Sequence, residues 1–379
     1  MKSIYLYSPY WRNFGGGERY MLYLASALSK LPETEVTVLS EFPEITKGRL
    51  AEFFQMDLSG VNYRTFGGGS RSLRKIIDGV DVFIPLSNFK MVRAVPKHYV
   101  QTLQVPYARI TPLTISGRII KGEVKEGVKD LFRIQLLSHT RKESRLTLTN
   151  SKFVHDNLLR SFKVGSSVLY PPIGDFLTEG ITKRRTILSV GRIFRGLYND
   201  KRYDVLTDTF RKLSRIMPDW QYHIVGSALS DKKSRGFLNQ LKEENRNHPV
   251  FFHVNVSHES LKKLYNEATI YWHGAGFGVD EVKHPEATEH FGMSVLEAMT
   301  AGCIPVVVDK GGLKEIVTHR KNGFLWQTID DLADYTLRVA NMSPQDLSEL
   351  QENARLRYSD FSVSNFEKRV AEIFLHLLL

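Results

Sequence analysis

The chain has 379 residues, 42% hydrophobic and 25% charged, a globular rather than a disordered composition and more length than one ordinary core holds. One cysteine, Cys303, excludes an internal disulfide framework and a cysteine-based zinc site, and no apolar run approaches the roughly 18 residues of a membrane span. The net charge of +11 is uneven, with 25 Lys and Arg against 14 Asp and Glu in residues 1–172 and 27 of each in 173–379, which predicts an anionic surface or substrate for the first half.

The N-terminal "MKSIYLYSPYW" enters a strand directly, with no signal-peptide core, so the expected compartment is the cytoplasm. Strands then follow at "EVTVLS", "VNYRTF", "DVFIPLS", "YVQTLQ", "RLTLTNS" and "SVLYPP". The second half continues with "RTILSVGR", "QYHIVGS", "VFFHVN", "TIYWHGA" and "IPVVVD". Helical stripes lie between them, such as Met21, Leu22, Ala25, Leu28 and Val205, Leu206, Phe210, Leu213. Strands alternating with helices predict the α/β class, here two doubly wound, Rossmann-like parallel-sheet domains. Pro171-Pro172 and Gly174 interrupt regular structure where the charge balance changes, which sets domains at 1–172 and 173–361. An apolar-striped helix, 362–379, ends the chain; Glu367, Lys368, Arg369 and Glu372 prevent it from spanning a membrane. Cys303, at the start of "CIPVVV", reads as a buried structural thiol.

Parallel sheets bind ligands at the carboxyl ends of their strands, and three motifs stand there. After the first strand comes "WRNFGGGERYMLYLASAL", whose Gly15, Gly16 and Gly17 let a phosphate or sugar approach the backbone at a helix start. After the first strand of the second half comes "SVGRIFRGLYNDKRYDVL". Its Arg192 and Lys201 suit a diphosphate, with Arg195 and Arg202 as nearby competitors. The third is "HPEATEHFGMSVLEAMTAGCIPVVV", where Glu289 precedes a helix running from near Gly292 to Gly302 and Glu297 lies within it. Two acids around a helix start suit a sugar nucleotide: the carboxylates hold the two polyols, and the helix amides face the diphosphate.

The run Glu289-x7-Glu297, written "EHFGMSVLEAMTAG", resembles the E-x7-E signature of the retaining GT-B glycosyltransferases of group 1. "GGGERY", "LTNS…VLYPPI", "VGRI…KR" and "GGLKEIV…NGFLW" follow in that family's order. The variant "YWHGAG…PEATEHFG" is similar to the branch acting on lipid-linked or surface-layer glycans. The resemblance implies a GT-B architecture with two domains facing a central cleft and the last helix crossing back to the first domain. It implies that Glu289, His290 and the backbone of Phe291, Gly292 and Met293 hold the donor sugar and that Glu297 takes the ribose. Arg192 and Lys201 would neutralise the leaving diphosphate, so neither metal nor cofactor is expected. Transfer would retain configuration by same-face attack, with the leaving phosphate as base. The family often keeps a His in an H-x-P context, and here "YVQTLQVPYAR" offers Gln104, which bonds a hydroxyl but exchanges no proton near neutral pH. His98 and His139 are alternatives for that place.

His273, His284 and His290 cluster in sequence, but their spacing matches no ligand pattern and predicts no metal site. Base selection is expected from the backbone around Phe252–Asn255. Arg118, Lys121, Lys125, Lys129 and Arg133 recur at helical spacing opposite Ile120, Val124, Val128 and Leu131, a basic amphipathic stripe suited to an anionic membrane surface. The expected partners are a nucleotide-sugar donor and a glycan or polyprenyl-linked acceptor, at the inner membrane face. Two other readings are a sugar-nucleotide epimerase or hydrolase and a catalytically weak binding protein. Nucleic-acid binding is not supported, because basic runs interleaved with aromatics are not evident.

Overall fold

The computed structural model describes residues 1–86, 88, 96–120, 122, 124, 127, 128, 130–132, 134, 135, 146–196, 200–227 and 231–378. Contacts divide the chain into two compact units, Met1–Pro172 together with Val363–Leu379, and Ile173–Ser362.

The first unit is built on seven strands: β1 (Lys2–Tyr7), β2 (Thr34–Ser40), β3 (Asn62–Thr65), β4 (Val82–Pro85), β5 (His98–Leu103), β6 (Leu146–Thr149) and β7 (Ser167–Val168). All are parallel, in the order β3-β2-β1-β4-β5-β6-β7. The described helices between them are α1 (Gly16–Ser29), α2 (Lys47–Phe54), α3 (Gly69–Ile77), α4 (Pro112–Ile120) and α5 (Lys152–Phe162). The expected stripe of Met21, Leu22, Ala25 and Leu28 on α1 is fully buried against β1 and β2. The "LTNS" motif ends β6 and starts α5, because the Ser151 hydroxyl accepts the Val154 N–H at 3.2 Å. Phe366, Val370 and Phe374, from the chain's last helix, complete the same core beside Tyr20.

The second unit holds β8 (Arg184–Val190), β9 (Gln221–Gly226), β10 (Val250–Val254), β11 (Ala268–His273), β12 (Ile304–Val308) and β13 (Phe324–Trp326). They too are parallel, in the order β10-β9-β8-β11-β12-β13. Its helices are α6 (Tyr203–Leu213), α7 (Lys232–Glu244), α8 (His258–Glu267), α9 (Met293–Thr300), α10 (Leu313–Ile316), α11 (Ile329–Ala340) and α12 (Pro344–Arg357); the closing helix, α13 (Val363–Leu378), belongs to the first unit. On α6 the buried hydrophobic residues are Tyr203, Leu206, Phe210 and Leu213, while Val205 is only half-buried; the stripe predicted from sequence begins at Tyr203 rather than Val205. Tyr203 takes that place because its ring packs inward and its hydroxyl donates to the Gly191 carbonyl.

The strand order reverses between β1 and β4 in one sheet and between β8 and β11 in the other. At such a reversal the outgoing helices leave to opposite faces, opening a crevice at the strands' carboxyl ends. The segments that follow β1, β8 and β11 are therefore where each unit can hold a ligand. Among the described residues, no helix is long and apolar enough to cross a membrane.

Candidate functional site

In the second unit, β11 ends at His273, and Glu289 lies between that strand and α9. Lys201 approaches from the segment between β8 and α6. Its Nζ lies 2.5 Å from Glu289 Oε2, and both side chains are largely buried. His273 Nε2 lies 2.9 Å from the same oxygen, and His273 is 2% exposed. Burial alone would raise the Glu289 carboxyl, but the Lys201 ammonium and the His273 contact hold it well below the ordinary carboxylate range. Burial and the Lys201 charge lower His273, outweighing the pull of Glu289, so the imidazole is neutral near pH 7. The result is an anionic carboxylate whose Oε2 accepts twice and whose Oε1 takes part in neither bond.

The Glu289 backbone is fixed as tightly as its side chain. Gly312 donates its N–H to the Glu289 carbonyl at 2.9 Å. A Cβ at Gly311 would lie 2.2 Å from that carbonyl oxygen, and one at Gly312 would lie 2.4 Å from the His290 carbonyl. The paired glycines of "GGLKEIV" are needed for this close approach.

His290 Nε2 donates to the Glu286 carbonyl at 3.1 Å, and Phe291 packs edge-on against Phe361. Gly292 caps α9 and Met293 opens it. Glu297 is the fifth residue of that helix, 7% exposed, and accepts the Tyr265 hydroxyl at 2.8 Å. Burial, with Glu297 beside it, pushes Tyr265 far up, so its proton stays. The two acids thus share no partner among these bonds: Glu289 faces an ammonium and a neutral imidazole, and Glu297 faces a phenol.

Arg192 is exposed and rests over the Phe194 ring at 5.5 Å, with no carboxylate on it among the described residues. Arg195 and Arg202, the nearby competitors, both pair with Asp204, and Arg202 also donates to the Phe277 carbonyl. Asn255, after β10, has φ 56° and donates its N–H to the Gly226 carbonyl.

In the first unit, Gly15 caps α1 and its N–H donates to the Glu18 carboxylate at 2.9 Å. That carboxylate already supplies negative charge at the helix start. Gln104, just past β5, is 7% exposed, and its main-chain N–H donates to Asn88 Oδ1. Its Oε1 is 2.9 Å from the point a Gly17 Cβ would occupy, so the structure brings Gly17 and Gln104 together. Among the described residues, Gln104 Nε2 is buried with no hydrogen-bond partner, as is Asn150 Oδ1. These residues stand one step beyond the paired Leu103 and Thr149, on neighbouring strand ends. Buried amides without partners are costly unless a ligand completes them.

His98 is the first residue of β5 and lies at the opposite end of that strand from Gln104, which removes it as a stand-in; His139 lies outside the described residues. Lys121, Lys125, Lys129, Arg133 and the side chain of Arg118 also lie outside them, so the basic stripe is not described. The three clustered histidines do not converge: His273 bonds Glu289, His290 the Glu286 backbone, and the exposed His284 faces the Glu286 side chain. No group of three or more His, Cys, Asp or Glu placed to hold a metal occurs among the described residues. Cys303 is buried, and its thiol donates to the Tyr265 and Ala268 carbonyls. Sequence reasoning missed His273 and Asn150 as site residues. Their signal was position, one ending β11 and the other directly following β6.

Residues 178–357 match the family described as "Glycosyl transferases group 1". The chain is 27% identical over 246 residues to the Mus musculus GDP-Man:Man(3)GlcNAc(2)-PP-Dol alpha-1,2-mannosyltransferase, covering 59% of this chain and 47% of that protein. It is 28% identical over 169 residues to the mannosylfructose-phosphate synthase of Agrobacterium fabrum, covering 42% and 34%. The chain therefore spans about half or less of the curated relatives it matches. Among solved structures, Anabaena Alr3699/HepE in complex with UDP and glucose superposes with a TM-score of 0.71, over 99% of both chains at 16% identity. The sucrose-phosphate synthase of Thermosynechococcus elongatus gives 0.67 at 16% identity over 100% and 99%. At these identities the likeness is one of fold.

Proposed function

Taking as premise that this chain belongs, through residues 178–357, to the group 1 glycosyltransferases and has the GT-B fold, we propose that it is a retaining hexosyltransferase. It moves a hexose from a nucleoside-diphosphate sugar to a hydroxyl of a glycan or lipid-linked acceptor. One observation carries the reading: a buried anionic carboxylate, Glu289, is clamped by a lysine and a histidine at the strand reversal of the second sheet. Glu289 Oε1 accepts a hydroxyl of the donor sugar. The Lys201 ammonium spends one proton on Glu289 and keeps two for oxygens of the leaving diphosphate. Arg192, unclaimed by any described carboxylate, supplies the second cation, and together they do the electrostatic work that needs no metal. Glu297, on the helix α9 that Gly292 caps, accepts from the ribose.

In the reaction the anomeric carbon loses its bond to the diphosphate oxygen and gains one to the acceptor oxygen on the same face. The acceptor's proton passes to the departing diphosphate. Gly15, Gly16 and Gly17 meet neutral sugar rather than phosphate, since Glu18 already places an anion at that helix start. Gln104 Nε2 and Asn150 Oδ1 offer one donor and one acceptor to a hydroxyl. The acceptor is a lipid-linked glycan at an anionic membrane surface; the dolichol-linked acceptor in the mouse relative's name and the basic first half of the chain support this.

Thermal-shift screening with GDP-, UDP- and ADP-sugars, followed by turnover of the donor that binds, tests the reading. Saturation at about 100-fold over Kd stabilises by about 2.7 kcal/mol, a rise of several degrees. No shift and no turnover with any of them would sink it. Binding without transfer would favour the catalytically weak binding protein, a reading that the non-titrating Gln104 supports.

A further inference from the structure

We propose that His273 is a positioning residue, whose imidazole keeps the Glu289 carboxylate turned toward the donor sugar while Lys201 engages the leaving diphosphate. The inference rests on the roles given to Glu289 and Lys201 under Proposed function.

A ring buried to 2% exposure must spend its polar atoms on partners, and His273 Nε2 meets Glu289 Oε2 at 2.9 Å. The carboxylate only accepts, so the proton sits on Nε2. That rules Nε2 out as a base toward substrate. The two donors on Oε2 differ in kind. Lys201 is a point charge on a flexible stem, free to share its three protons among several oxygens. His273 ends the central strand β11, and its ring stacks on Tyr271, with centroids 6.5 Å apart and planes 16° apart. Its direction is therefore set by the sheet. A diphosphate drawing the ammonium toward itself loosens one of the two bonds on Oε2 and leaves the other in place. With the Glu289 carbonyl already held by Gly312, the His273 bond fixes which carboxylate oxygen faces the ligand.

The test compares His273→Phe, which keeps the ring and removes the donor, with His273→Gln, which keeps a neutral N–H at similar reach. Both are made in the full chain and assayed with the donor that the wild type turns over. We expect His273→Phe to lower kcat about 100-fold, the size of a misplaced reacting group, with donor KM changed less than about threefold. His273→Gln should recover about tenfold or more. Unchanged kcat in His273→Phe overturns the proposal. So does a parallel loss in kcat and donor affinity that His273→Gln fails to relieve, which is the mark of general damage. Should His273→Phe not fold, 15N NMR of the imidazole in the wild type and in Glu289→Gln decides. The Nε2–H tautomer, with a resonance that moves when Glu289 is neutralised, supports the role; the Nδ1–H tautomer overturns it. A wild type that turns over no nucleotide sugar removes the reading of Glu289 and this role with it. Wild-type turnover retained by His273→Phe removes only the role of His273.

Discussion

At the scale of residues, Glu289 and Glu297 are equivalent letters in one motif but occupy different surroundings. Glu289 is an anion fastened by Lys201 and His273, whereas Glu297 is hydrogen-bonded by Tyr265. We expect Glu289→Gln to lower kcat by roughly 10²–10³-fold while nucleotide affinity, read by calorimetry, stays within about threefold. Glu297→Ala should weaken the nucleotide itself by about 10–100-fold, the loss of a bond to a charged acceptor. Equal losses of affinity in both variants would contradict this division of labour. The depressed Glu289 carboxyl also ties stability to pH. Its folded pKa lies below the unfolded value of about 4.3, so its contribution is complete above that value and disappears as pH falls through the folded one. Urea midpoints of the wild type should therefore drop below about pH 4 more steeply than those of Glu289→Gln. Parallel curves would mean that the pair adds nothing. Lys201→Ala should cost about 3–5 kcal/mol near pH 7, because it leaves the buried carboxylate without its ammonium.

At the scale of elements, the glycine pair before α10 and the closing helix α13 carry the sharpest consequences. A methyl group at Gly312 meets the His290 carbonyl oxygen at 2.4 Å, so Gly312→Ala must displace the segment carrying Glu289. It should lose activity on the scale of Glu289→Gln while circular dichroism keeps the strand and helix content. Helix α13 contributes Phe366, Val370 and Phe374 to the first unit although it is last in the chain. Phe374→Ala, at a fully buried site, should destabilise that unit by about 3–5 kcal/mol. Hydrogen exchange should then speed up in β1 and α1 and remain unchanged in β8 through β13. Uniform acceleration across both sheets would refute that assignment.

At the scale of the whole molecule, the excess positive charge lies entirely in residues 1–172, where surface electrostatics rather than fold gives it meaning. Flotation with anionic vesicles should capture the protein at low salt and release it at several hundred millimolar, as the Debye length shrinks toward about 3 Å. Failure to float at low ionic strength would remove the membrane-facing part of the proposal and leave donor chemistry untouched. The fold was largely legible, because both sheets are parallel and alternate with helices, and that order is written as periodicity. Buried strands such as "TIYWH" and "IPVVV" read as apolar runs, and helices such as α1 as stripes.

What the sequence alone determined are the properties carried by local order: strand and helix alternation, the glycine run at the start of α1, the helix start after Glu289, and the uneven charge. What only the tertiary structure decided is who touches whom. Lys201 and Glu289 are far apart in the chain and meet because β8 and β11 are neighbours in the sheet. His273 looked like one of three histidines clustered in sequence without a common role and proved to be the second donor on that carboxylate. Periodicity reports which face of an element is buried. It carries no term for which distant side chain arrives there, since that is fixed by strand order and by the cost of leaving a buried charge or amide without a partner.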